Sequence, residues 1–190
     1  MRDRVGMAGM AEGKTFESFE REAQPKAYAA MRGYLEEPRS IVLSGPNGTG
    51  KTHLAWALAN AIIKRDGLVA GFSPVMFATF QDMLFTVRKT YAEGWEGMGL
   101  EWYLSRWRGI PLLIIDDVGP AGLDQEPSEH TRTIGYSVID GRYRQERPVV
   151  ITTNKGPEEL KSWLTSSAVS RLFEMGLWVK MEGRDWRIHQ

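Results

Sequence analysis

Residues 45–52 read GPNGTGKT, which satisfies the pattern G-x-x-x-x-G-K-[ST]. The preceding SIVLSG (40–45) is a short apolar strand. The following residues place Leu54, Leu58 and Ile62 at i, i+4 and i+8, a helix with one buried face. Strand, glycine turn and helix together are the context in which this pattern is a phosphate cradle. The glycines let backbone N–H groups turn inward around the phosphates, helped by the positive end of the helix. On this reading Gly45, Pro46, Asn47, Gly48, Thr49, Gly50, Lys51, Thr52 and His53 form the nucleotide-binding stretch. Lys51 reaches the β- and γ-phosphates of ATP, and the Thr52 hydroxyl ligates Mg2+. The ring of His53 reads as a helix-start packing group rather than a metal ligand.

The partner of such a cradle is an acid at the end of a neighbouring strand. LLIIDDVGP (112–120) supplies one: Asp116 ends an apolar run and would hold the Mg2+ opposite Thr52. Parallel α/β folds bind ligands at these carboxyl ends. The next residue is Asp117, where a water-polarising glutamate often stands; it either activates water or only caps the turn. VVITTN (149–154) places Asn154 just past another strand. There it can position water against the γ-phosphate, or simply make an asparagine turn.

Strands are expected around PVMFAT and at LLIID, VVITT and LWVKM (177–181), with helices over 25–37 and 80–91. Several strands are continuous apolar runs without alternation, as when helices cover both sheet faces. Strands alternating with helices predict an α/β fold, a P-loop NTPase with a central parallel five-stranded sheet. Residues 1–14 read as a flexible lead and 15–190 as one ATPase domain. Too few residues follow the last strand for a helical lid domain.

Composition narrows the function classes. The chain has 190 residues, 42% hydrophobic, and its 24 Lys+Arg balance 24 Asp+Glu. No global basic field advertises nucleic acid, so any such surface is a local patch. Cysteine is absent, which excludes disulfides and thiolate metal sites. His130 and His189 have no second ligand at metal spacing, so no zinc site is expected. No apolar run approaches the roughly 18 residues of a membrane span, and the N-terminus lacks a signal-peptide core. A cytoplasmic protein without membrane contact is the expectation.

Within 80–91, Phe80, Met83, Leu84, Val87 and Tyr91 line one stripe, assigned to the core. Phe85 falls off that stripe beside Arg88 and Lys89. An aromatic flanked by cations suits stacking on a base next to a phosphate; the alternative is that Phe85 packs under the 92–100 loop. Trp95, Trp102 and Trp107 read mainly as packing residues, although Arg106 and Arg108 leave a second nucleic-acid patch open.

Taken together, TFESF, GPNGTGKTHLA, LLIIDDVG, IDGRYRQERPVVITTN, SRLFEMG and GRDWR resemble the AAA+ ATPases of the DnaC/DnaI-type helicase loader family, close to the IstB-type transposition helpers. The likeness covers about residues 15–188. It implies ATP and Mg2+ as cofactors, single-stranded DNA and a hexameric replicative helicase as partners, and slow hydrolysis. It places Asp117 at the water-activating acid, where this branch often carries Asp-Asp, and Asn154 at sensor 1. It places Arg171 at the arginine finger, acting in trans through self-assembly. Arg187 falls at a terminal arginine resembling sensor 2, and Arg142 at a recurrent arginine of the subunit interface. For each arginine the plain alternative is a solvated helix-face charge. Loaders normally carry a further N-terminal helicase-binding domain, and only residues 1–14 precede the core here. Two other functions fit the motifs. One is a transposition helper on duplex DNA with a transposase. The other is a nucleotide-gated switch with negligible turnover, suggested by Asp117 in place of glutamate.

Overall fold

The computed structural model describes residues 12–67, 73–92, 99–119, 127–183 and 185–186, with the side chains of 91 and 92 excepted. Five strands, β1 (Ser40–Ser44), β2 (Val75–Thr79), β3 (Leu112–Val118), β4 (Val149–Thr153) and β5 (Gly176–Lys180), form one sheet in the order β2-β3-β4-β1-β5. Every pairing is parallel. β4 therefore lies between the strand that feeds the cradle and the strand that carries the acids. This brings Asn154 between them.

Helices cover both faces, as the continuous apolar strands predict. On one side α1 (Pro25–Gly33) and α2 (Lys51–Asp66) pack Met31, Leu54, Leu58 and Ile62 against Ile41, Leu43, Ile114 and Val150. Five helices cover the other side: α3 (Phe80–Ala92), α4 (Leu100–Gly109), α5 (Glu129–Arg144), α6 (Pro157–Trp163) and α7 (Ser166–Met175). They bury Phe80, Val87, Trp107, Val138 and Leu172 against Val42, Leu113, Ile115 and Ile151. Alternate residues of each central strand thus serve opposite cores, the period-2 rule applied inside a two-sided sheet. No helix of the described residues is long and apolar enough to cross a membrane.

Three local expectations change. The first helix ends at Gly33 rather than at 37, because the N–H groups of Leu35 and Glu36 tighten to i→i−3 bonds with Arg32 and Gly33 ahead of Pro38. β3 continues through both aspartates to Val118. Arg142 is neither a solvated charge nor at an open interface: it is 0% exposed. Its guanidinium donates to the carbonyls of Trp107 (2.7 Å), Ile110 (2.9 Å), Pro111 (3.0 Å) and Pro148. Burial pushes its pKa down to about 10. The fork ties the last turn of α4 to the starts of β3 and β4, supplying donors that helix-end carbonyls otherwise lack.

Candidate nucleotide-binding site

β1 delivers the chain to the cradle and α2 leaves it at Lys51. Gly48 (φ +74°) and Gly50 (φ +95°) hold left-handed backbone that side-chain-bearing residues avoid. Both are also tightly covered. A Cβ on Gly50 would stand 2.6 Å from the Phe19 ring, and one on Gly48 would strike Asp185. The Trp186 N–H donates to the Gly48 carbonyl at 3.2 Å. The Lys51 ammonium is buried and donates to the carbonyls of Gly45 and Pro46, each at 2.6 Å, which holds it inside its own loop. Thr49 closes the turn by donating to Pro46 at 2.9 Å.

His53 follows Thr52 but its ring turns away from the loop. Its Nε2 lies 3.1 Å from the Thr15 carbonyl and 3.2 Å from Ser18 Oγ, and the ring meets Phe19 edge-on. Burial pushes the imidazole pKa down. As a side chain, then, His53 fastens the TFESF segment beneath the cradle, and the expected packing role holds. The ring faces that segment rather than the phosphate cradle.

The Thr52 hydroxyl donates to Asp116, 3.0 and 3.2 Å from its two oxygens. Asp116 is buried, and that burial raises its pKa. Hydrogen bonds from Thr152 and Thr52 oppose the rise, Asp117 adds to it and Lys51 opposes it. A carboxylate and a hydroxyl meeting in a buried site are hard oxygen donors that suit Mg2+, whose charge would offset the cost of burying the anion. Among the described residues no group of three or more His, Asp or Glu side chains gathers to make a closed protein cage. Mg2+ usually completes such a pair of donors with phosphate oxygens and water.

Two adjacent residues of a regular strand point to opposite faces. Asp116 and Asp117 escape this rule through a bulge. The β3–β4 register runs Ile115 to Ile151 and then Val118 to Thr153, so two residues of β3 oppose Thr152 alone. Asp117 takes the left-handed conformation at φ +57°. The Asn154 side-chain amide donates to the Asp117 carboxylate at 3.3 Å, while Asn154 Oδ1 is buried with no hydrogen-bond partner among the described residues. An orphan acceptor beside a carboxylate is suited to receive the O–H of a water.

Arg171 and the exposed face of α3 lie away from the cradle. Arg171, on α7, pairs with Asp140 at 2.9 Å and lies over the rings of Tyr136 and Tyr143 at 5.0 and 5.3 Å. None of these partners belongs to the cradle. Arg187 and His189 fall outside the described residues, as does Trp95. Phe85 is 68% exposed, with Arg88 and Lys89 also exposed, while Phe80, Met83 and Val87 are buried as the stripe requires. Trp107 is buried and Arg108 donates to Ser137, so that pair makes no open patch. Arg106 instead lies over the ring of exposed Trp102. Two participants escaped the sequence reading: Phe19 against Gly50, and Thr152 between the acids. Thr152 stood in plain view in VVITTN, but only its strand partner reveals its use.

A parallel sheet in this order, with a glycine cradle on β1 and a buried acid on β3, defines a P-loop nucleotide-binding protein of the AAA+ class. The IstB-like ATP binding protein family model matches residues 1–189, and the chain belongs to that family. It is 29% identical over 184 residues to the replicative helicase loader DnaC of Escherichia coli strain K12, covering 93% of this chain and 70% of that protein. It is 28% identical over 199 residues to a Bacillus thuringiensis subsp. berliner protein of insertion sequence IS232, named for ATP binding, covering 97% of this chain and 72% of that one. Among solved structures, the DnaC helicase loader superposes with a TM-score of 0.74 at 23% identity, covering 92% of this chain and all of that one. AMPPCP-bound DnaA from Aquifex aeolicus superposes at 0.72 and 23%, and there the chain spans 52% of the neighbour's length. These structural likenesses establish the fold.

Proposed function

We propose that this ATP-binding AAA+ protein is a helicase loader: with residues 15–190 as its ATPase domain, it assembles on single-stranded DNA, delivers a hexameric replicative helicase and hydrolyses ATP to time the release. The observation that carries hydrolysis is the Asp117–Asn154 pair, a carboxylate and an orphan amide oxygen at the end of the acid strand. In this reading Asp117 takes the proton of the attacking water and Asn154 orients that water. Thr52 and Asp116 hold Mg2+, which when bound neutralises charge on the phosphates. The cradle backbone and Lys51 bind the triphosphate. Arg171 of one subunit reaches the γ-phosphate held by its neighbour, leaving its Asp140 partner to do so. Phe85, Arg88 and Lys89 face the DNA strand.

Loading is favoured here because the helicase loader DnaC is similar at 29% identity over 93% of this chain and 70% of its own length. The insertion-sequence relatives match about as well by sequence, which keeps a transposition helper on duplex DNA as the second reading. Steady-state ATP hydrolysis at high protein concentration, with and without single-stranded DNA, tests the enzyme. Turnover rising on assembly above a Lys51→Ala control supports it, and turnover at the control level under all conditions leaves a nucleotide-gated switch. Preference for single-stranded over duplex DNA by anisotropy, with co-purification of a hexameric helicase rather than a transposase, decides between the two DNA functions.

A further inference from the structure

We infer that Thr152 is the positioning residue of the nucleotide site, its single hydroxyl orienting both the metal-holding acid and the water-activating acid. This rests on the roles proposed above for Asp116 and Asp117. The bulge in β3 sets two residues against Thr152, and it frees the Asp117 N–H from a normal ladder position. A buried N–H needs a partner. Thr152 Oγ1 provides it, accepting from Asp117 N at 2.9 Å. The same oxygen donates its own proton to Asp116 Oδ1 at 2.5 Å. One hydroxyl therefore accepts from one acid's backbone and donates to the other acid's carboxylate. Thr152 is 1% exposed, so both bonds are made away from bulk water.

The consequences for the two acids differ. For Asp116, the Thr152 and Thr52 hydroxyls converge on one carboxylate, so Thr152 sets which way that carboxylate faces when a cation arrives. For Asp117, the bond fixes a left-handed residue, a conformation that most residues other than glycine, asparagine and aspartate avoid. It thereby aims the carboxylate at Asn154 rather than at the opposite sheet face. Neither neighbour in the motif does this. Thr153 donates to the Val118 carbonyl at 2.6 Å and accepts from Lys155 N at 3.0 Å, which closes the strand end.

The test compares Thr152→Val, which keeps shape and removes both bonds, with Thr152→Ser, which keeps the hydroxyl; Thr152→Ala serves if the valine variant melts early. Two readouts are taken on the full chain. One is the affinity for a fluorescent ATP analogue with Mg2+ and with chelator; the other is kcat and KM for ATP on single-stranded DNA. Thr152→Val is expected to bind the metal-free analogue like the wild type. Its gain in affinity on adding Mg2+ should fall roughly 10-fold or more, the loss of one charge-assisted bond. Its kcat should fall roughly 100-fold with little change in KM, as for a misplaced general base. Thr152→Ser should recover both to within about threefold. A Thr152→Val protein with unchanged Mg2+ gain and unchanged kcat overturns the inference while leaving the ATPase reading intact. Serine as damaging as valine also overturns it, since the threonine would then act only through its methyl group. If the wild type shows no turnover but valine still loses the Mg2+ gain, hydrolysis fails and the positioning of Asp116 stands.

Discussion

The Asn154 amide reaches the Asp117 carboxylate at 3.3 Å across 37 residues of sequence, and it does so because β4 lies between the cradle strand and the acid strand. The pair stands at the carboxyl end of the sheet, where parallel α/β folds present their ligands. The bulge at the end of β3 turns the shorter second acid toward Asn154.

Asp117→Asn is the cleanest test of its chemistry. Asparagine tolerates the left-handed conformation at φ +57° about as well as aspartate, so the backbone is preserved. ATP binding should persist while turnover falls roughly 100-fold or more, the contribution of a general base. Rates unchanged in a coupled ATPase assay would reduce Asp117 to a turn cap.

Arg171 is held at home by Asp140 and two tyrosine rings, so a role on a neighbouring subunit requires it to exchange those contacts on assembly. Arg171→Ala should bind ATP normally and lose turnover by about 10³-fold or more in the assembled state. Mixing it with Lys51→Ala should restore part of the activity, because each supplies what the other lacks. Mixtures no more active than either protein alone argue against action in trans.

Arg142 makes a prediction about stability rather than activity. Arg142→Met strands the carbonyls of Trp107, Ile110, Pro111 and Pro148 in the interior, at a cost of about 3 kcal/mol or more. Arg142→Lys should rescue little, because a point charge with three donors does not span the fork. Urea denaturation measures both; a midpoint shared with the wild type would mean that water fills the gap.

Phe85 is the converse. At 68% exposure, its truncation to alanine should change stability by no more than about 0.5 kcal/mol. Stacking on a base is worth about 1–3 kcal/mol, so affinity for single-stranded DNA should drop roughly 5- to 100-fold. Anisotropy titrations at fixed salt read this directly, and an unaltered isotherm assigns the exposed ring to some other contact.

The sequence by itself determined what is local. A strand, a glycine turn and a helix are contiguous, so the cradle, Lys51 and Thr52 could be read in one window, and so could the acid that ends LLIID. The apolar runs announced a sheet buried on both faces, and the stripe of α3 separated Phe80, Met83 and Val87 from Phe85. Tertiary structure decided what depends on partners distant in sequence. Register against β4 created the bulge that sets two adjacent aspartates against Thr152 and gives its hydroxyl a hydrogen bond to each. Packing carried His53 onto the TFESF segment and Phe19 onto Gly50. Arg142 reads as surface charge in one dimension because nothing next to it in sequence marks a buried partner. Only in three dimensions do carbonyl oxygens at the end of α4 and just ahead of β3 and β4 converge to replace the water it gives up.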